Sequence, residues 1–189
     1  MKQFSNWLYK VSTGWVALAG LIVFLLFTAL VLPAQAAGAD EISGDAGSPD
    51  MSFFYSPQEL YKMAEAYGED GREAYIEARF TFDLIWPLVY ALFLSTAISW
   101  TFALIFPGES RWRWGNITPI LGMAFDYAEN ITTSLVMYRY PATSDFLAIF
   151  APVFTAIKWI FVGGSFILVL IGLAGAIWQT IRKRIGNAG

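Results

Sequence analysis

Residues 84–106 read LIWPLVYALFLSTAISWTFALIF, an apolar run without a single charge that is closed by Pro107-Gly108. A bilayer core about 30 Å thick is crossed by roughly 20 apolar helical residues, so this run predicts a transmembrane helix. The whole composition agrees with it. Of the 189 residues 57% are hydrophobic, 17% aromatic and only 14% charged, with mean hydropathy +0.51. Soluble domains carry roughly 25% charged residues and have no use for so much apolar surface.

Three further runs of comparable length flank it. Residues 117–137 form the most polar of them, interrupted by Asp126, Glu129 and Asn130. Residues 146–179 hold one charge, Lys158, and at about 1.5 Å per residue exceed a bilayer's thickness. That helix is expected to tilt, to kink at Pro152 or to project into water. Residues 15–32 carry no charge and end at Pro33. The pattern predicts an all-α polytopic membrane protein, a four-helix transmembrane bundle with a helical extracytoplasmic segment.

The expected organisation is an N-terminal stretch and first span over 1–33, then a flexible acidic tether over 34–55 and an amphipathic helical segment over 56–79. The second span follows over 80–106, a basic turn over 107–115 and the third span, with the acidic cluster, over 116–138. A short loop over 139–145, the fourth span over 146–181 and a basic tail over 182–189 complete it. The first span also fits a signal peptide, because Lys2 and Lys10 precede it and Ala34-Gln35-Ala36 offers small residues at cleavage spacing. Its apolar stretch of about 18 residues exceeds the roughly 7–15 of secretory signals, which favours a retained anchor.

Basic residues in short flanks set orientation. Lys2, Lys10, Arg111, Arg113, Arg182, Lys183 and Arg184 fall on one side, against Lys62, Arg72, Arg79 and Arg139 on the other. The bias places both termini in the cytoplasm of a cell that holds the chain in its plasma or inner membrane. The loop over 34–79, with ten acids against three bases, then lies outside. Within it Ser56-Pro57-Gln58-Glu59 has the form of a capping box with Pro at the first helical position. Leu60, Met63, Ala64 and Tyr67 share one face of the helix this predicts. Such a face suits the outer membrane surface or a cap on the bundle. Gly68 and Gly71 should end the helix, and Arg72 should begin a second that runs toward the second span.

Asp126, Glu129 and Asn130 stand at i, i+3 and i+4, on one face of the third span near mid-bilayer. A charge at a helix centre costs about 2.5–3.5 kcal/mol on insertion scales, so these carboxylates must face the bundle interior or be partly protonated. On the second span Asp83 and Tyr90 lie near Pro87, which has no N–H and so frees the carbonyl of Asp83. Lys158 on the fourth span either pairs with Glu129 or Asp83 or snorkels to the head groups. The ligand-binding candidates are Asp83, Tyr90, Asp126, Glu129, Asn130 and Lys158. Asp126 and Glu129 are the catalytic candidates, and Asp83, Asp126 and Glu129 the only carboxylates that could hold a metal. Tyr75, Tyr127, Tyr138 and Arg139 are secondary candidates. Gly163, Gly164, Gly172 and Gly175 read as helix-packing contacts of the fourth span.

The chain has no His and no Cys, which excludes His- or Cys-dependent hydrolysis, thiol redox chemistry and haem on the usual axial ligands. Fe–S clusters and His/Cys zinc sites are excluded likewise, and no cofactor is predicted. Two sequons, at Asn116 and Asn130, fall at a membrane edge and inside a span and are set aside as glycosylation sites. The leading functional expectation is a carboxylate-lined site in the outer half of the bundle that binds, and could act on, a lipid or other amphipathic ligand. Alternatives are a non-catalytic accessory subunit of a membrane complex and a component of a proton or cation path. The expected partners are membrane lipids, with other membrane subunits or further copies of the chain, and no nucleic acid.

Overall fold

Apolar runs become helices wherever nothing interrupts them, and the positions of the interruptions give this chain its element order. The computed structural model describes residues 1–186 and contains eight α-helices and no strand among them. They are α1 (Lys2–Val11), α2 (Gly14–Leu30), α3 (Leu32–Ser43), α4 (Pro57–Ala66), α5 (Gly68–Phe80), α6 (Phe82–Ile105), α7 (Thr118–Arg139) and α8 (Asp145–Gly186). The last three residues of the basic tail expected over 182–189 lie outside the described residues.

Among the described residues three helical stretches are long and apolar enough to cross a membrane: Gly14–Glu41, Gly68–Ile105 and Asp145–Ile185. Their outward faces are greasy, with Leu25, Leu26, Leu88, Leu92, Leu170 and Ile177 all exposed. So large an apolar surface belongs to a protein whose solvent is lipid. α7 is 22 residues long, about 33 Å, but its polar residues leave it short of that hydropathy. It packs chiefly on α8 and also on α6, while α2 leans on α6.

Small residues let these helices approach closely. A Cβ on Gly20 of α2 would lie 3.2 Å from the backbone of Phe93 on α6, and one on Gly172 of α8 would collide with the Thr101 side chain. Gly175 meets Ile105 in the same seam, whereas Gly163 and Gly164 have no neighbour within 4 Å. Only half of that glycine set therefore serves helix packing. The other half faces outward, because α8 turns a different side to α6 and α7 at that height.

Asn116, one of the discarded sequons, anchors α1 to the bundle. It is fully buried, accepts a hydrogen bond from Ser5 Oγ at 2.8 Å and donates to Ser5 O at 3.2 Å and Ser99 Oγ at 3.0 Å. Tyr9 on the same short helix donates to the Arg113 carbonyl at 2.7 Å and lies beneath its guanidinium. Its burial pushes the phenol up to about 12, even against the lowering effect of Arg113.

At the opposite end α4 and α5 cap the bundle. The capping box forms as the sequence predicts, with Ser56 Oγ accepting from Glu59 N–H and Glu59 Oε2 accepting from Ser56 N–H at 2.7 Å. The Ser56 N–H, together with the Ser56 hydroxyl that donates to the same oxygen at 2.8 Å, holds the Glu59 carboxyl below its ordinary range. Leu60, Met63, Ala64 and Tyr67 are buried against Tyr75, Val136, Met137 and Ala151, so this face caps the bundle. The chain turns at Gly68, whose φ of +65° suits a residue without Cβ. Gly71 does not break the helix, and α5 continues through it to Phe80.

The stretch over 34–55 differs from the tether that its composition suggests. α3 continues helically from the end of α2 to Ser43, and two short 3-10 turns follow at Gly44–Ala46 and Pro49–Met51. Ala, Gln and Glu are good helix formers and nothing before Gly44 stops them. Tyr67 fastens the segment by donating to the Gly47 carbonyl at 2.7 Å. Burial raises this phenol to about 12.

Candidate functional site

Five segments send charged side chains to one place. α7 presents Asp126, Glu129 and Asn130 on its inner face, all buried. α8 answers with Lys158, 5% exposed, which pairs with Glu129. One turn earlier Thr155 donates to Glu129 Oε1 at 2.6 Å, and Tyr55 meets the same hydroxyl at 3.1 Å. Arg79, at the end of α5, lies 2.8 Å from Asp83 Oδ2 in the first turn of α6, an i, i+4 pair across the helix junction. Between the two cations stands Asp50, delivered by the Pro49–Met51 turn. It pairs with Arg79 and lies 3.7 Å from Lys158 Nζ.

The result is a continuous chain of alternating charge, Asp83, Arg79, Asp50, Lys158 and Glu129. Arg79 also stacks over Tyr75, with its guanidinium carbon 4.6 Å from the ring centroid. Burial alone would raise the Asp50 carboxyl, but Arg79 and then Lys158 hold it below the usual carboxylate range. Asp126 stands apart from this chain. Tyr90 donates to its Oδ2 at 3.0 Å and the Asn130 amide to its Oδ1 at 3.4 Å, and no Lys or Arg reaches it as an ion pair among the described residues. Tyr127 donates to the Leu84 carbonyl at 2.8 Å, one residue past the carbonyl that Pro87 frees.

These groups border a cavity of about 570 Å³. Its polar wall comprises Asp50, Arg79, Asp83, Tyr90, Asp126 and Lys158. Its apolar wall is built by Phe24, Phe82, Trp86, Trp159, Val162 and Phe166, with α3 and the segment after it closing one side. Phe24 stacks on Trp86 and Phe93, with ring centroids 5.5 and 5.0 Å apart, and meets Phe166 at 6.0 Å. Aromatic contacts from α2, α6 and α8 thus shape the apolar part.

Of the residues expected to bind a ligand, Asp83, Tyr90, Asp126 and Lys158 line the cavity, while Glu129 and Asn130 stand behind its wall. Glu129 acts on the cavity through Lys158, and Asn130 through Asp126. The three carboxylates weighed as metal ligands are dispersed: among the described residues no three of Asp, Glu, His or Cys gather where they could hold an ion. Asp83 belongs with Arg79, Glu129 with Lys158, and Asp126 with Tyr90. Tyr75 lines the cavity, whereas Tyr138 is exposed and takes no part.

Asp50 and Thr155 are the members that sequence reasoning did not single out. A weak signal existed for Asp50. Arg79 and Lys158 are two cations that a bundle must neutralise, and the acidic stretch before Ser56 is a source of carboxylates outside the spans.

Chemically, the arrangement is a set of fixed charges at one end of an apolar chamber. Each charged group is held by a neighbour on another segment, which keeps the wall ordered. No family model, curated protein or solved structure matches the chain, so its own geometry carries the functional reading.

Proposed function

We propose that this chain is a four-helix integral membrane protein, with α2, α6, α7 and α8 as its spans, that binds an amphipathic ligand in the cavity between them. The carrying observation is a chamber of about 570 Å³ with a mostly aromatic and aliphatic wall and a few ordered polar groups at one end. Ligand sites typically have this build, at roughly 300–1,000 Å³. In the orientation that the Lys and Arg bias favours, both termini are cytoplasmic and the chamber lies in the outer half of a plasma or inner membrane. A lipid or lipid-like molecule would then enter with its head at the charged end and its tail along Trp86, Val162 and Phe166. A proton or cation path draws less support, because between residues 84 and 105 of α6 nothing titrates except Tyr90.

The test is an unbiased mass-spectrometric search for small molecules retained by the protein purified in a mild detergent. The expected result is a defined amphiphile present at near-stoichiometric level in the wild type and depleted when Trp86 or Val162 is replaced by a residue that fills or empties the chamber. A wild type that retains only bulk lipid, unchanged by those substitutions, would refute ligand binding. Stoichiometric co-purification of another polypeptide in its place would favour the accessory-subunit reading.

A further inference from the structure

The charged wall is not neutral. Among the described residues Arg79 and Lys158 are the cations of the cluster, and Asp50, Asp83, Glu129 and Asp126 are its carboxylates. Arg79 is shared by Asp50 and Asp83, and Lys158 by Asp50 and Glu129. Each cation is thus held by two carboxylates, and of their donors only the Arg79 Nε–H makes no hydrogen bond among the described residues. Asp126, by contrast, has no cationic partner. With the Asn130 amide oriented to donate, both of its oxygens accept hydrogen bonds, an arrangement that suits the carboxylate form.

Two further groups on the same wall would take an N–H donor. Asp83 is 6% exposed and has to share its one cation, Arg79, with Asp50. Tyr75 is 4% exposed, and its hydroxyl makes no close hydrogen bond among the described residues. Both residues line the cavity. A buried carboxylate without a counter-charge is costly and a buried hydroxyl without a close partner adds to the cost, so the chamber calls for a guest that brings positive charge and N–H groups. An inorganic cation would use a small part of about 570 Å³ and none of the aromatic wall.

We propose that the ligand's head group is an alkylammonium, seated at the charged end of the chamber beside Asp126 and Asp83, with its hydrocarbon tail against Trp86, Val162 and Phe166. The inference rests on the reading of the chamber as an amphiphile site and adds the sign of the head group. Salt bridging to Asp126 and Asp83 and hydrogen bonding to Tyr75 would supply the selectivity, and the apolar wall would supply affinity common to any amphiphile of similar length.

Three photoreactive probes with the same twelve-carbon diazirine tail but ammonium, sulfate and glucoside heads separate the two levels. Each is cross-linked to the full chain in a neutral maltoside detergent, and labelled peptides are quantified. The expected result is labelling of the α6 and α8 peptides that carry Trp86 and Trp159 by the ammonium probe, about tenfold above the sulfate probe. Asp126→Asn should remove that preference while glucoside labelling stays unchanged. Should Asp126→Asn fail to fold, the wild-type preference and its loss in Tyr75→Phe/Asp83→Asn decide the matter. Equal or stronger labelling of those peptides by the sulfate probe would overturn the ammonium assignment and leave the amphiphile site standing. Failure of all three probes to label them above the exposed end of α8 would overturn the site itself.

Discussion

Replacing Glu129 by Leu puts a number on the buried ion pair. Glu129 is fully buried and Lys158 is 5% exposed, so water cannot take over either charge when its partner is removed. Deleting one member of a buried pair costs roughly 3–5 kcal/mol. Here the lower end applies, because Lys158 keeps Asp50 at 3.7 Å and Thr155 keeps a second acceptor, the Ala151 carbonyl at 3.0 Å. Glu129→Leu should therefore cost about 3 kcal/mol, and Lys158→Met about the same, since it strands Glu129 with Thr155 alone. The double variant removes both charges and fills the space with apolar atoms. It should cost about 1–2 kcal/mol, far below the sum of the single changes, because an ion pair replaced as a unit is often neutral. Reversible unfolding in mixed micelles with rising mole fraction of an ionic detergent measures all three. Additive losses in the double variant would refute the pairing, and a stabilised Glu129→Leu would mean that the carboxylate faces lipid.

Asp50→Asn should cost less, about 1–2 kcal/mol, because Arg79 retains Asp83 and Lys158 retains Glu129. Its effect should be local, read as increased mobility of a spin label at exposed Met51. The pH dependence follows from the sign of the shift. With its folded pKa held below the unfolded value of about 3.9, Asp50 contributes in full at neutral pH and above, and its contribution is lost only as the pH falls through that depressed value. The label should stay ordered from pH 8 to about pH 5, and release near pH 6 would contradict the pairing with Arg79 and Lys158. Gly172→Ala should destabilise by about 1–3 kcal/mol, since its Cβ would collide with Thr101, whereas Gly163→Ala, facing open space, should stabilise by about 0.5–1 kcal/mol in the same unfolding assay. Single Cys probes at Glu69 and Glu109 in this Cys-free chain should label oppositely with an impermeant reagent, Glu69 alone from outside. Labelling of Glu109 alone would invert the orientation.

Helices and their inward faces were legible because they rest on periodicity. The uncharged run over 84–106 can only be a helix in lipid, where every backbone group must be bonded within its own segment. The i, i+3, i+4 spacing of Asp126, Glu129 and Asn130 fixes a shared face regardless of what lies opposite. The capping box at Ser56 is equally local, and it forms with both of its hydrogen bonds. Pairing is a different kind of information. Lys158 had two carboxylates within sequence-level reach, and which one it meets depends on how far α8 is rotated and raised against α7. The rotation is set by Gly122, where an added Cβ would come within 2.9 Å of Val162, and by the Thr155 contact to Glu129.

Asp50 shows where reading from local pattern fails. Its neighbours are Ser48, Pro49 and Met51, with no period and no apolar face, so nothing within ten residues of it predicts an ordered role. The requirement comes from elsewhere in the chain. Arg79 is 29 residues away and Lys158 more than 100, and two buried cations close together at that end of the bundle need an anion between them. A charge ledger taken over the bundle, in place of a scan along the chain, finds it: α5 to α8 contribute the buried charges Arg79, Asp83, Asp126, Glu129 and Lys158, and Arg79 forms no ion pair with Glu129. An acid from the segment before α4 is then the remaining source. The same ledger, carried to its end, leaves Asp126 without a cationic partner among the described residues, and that negative charge beside an apolar chamber is the reason to propose a site selective for sign as well as for shape.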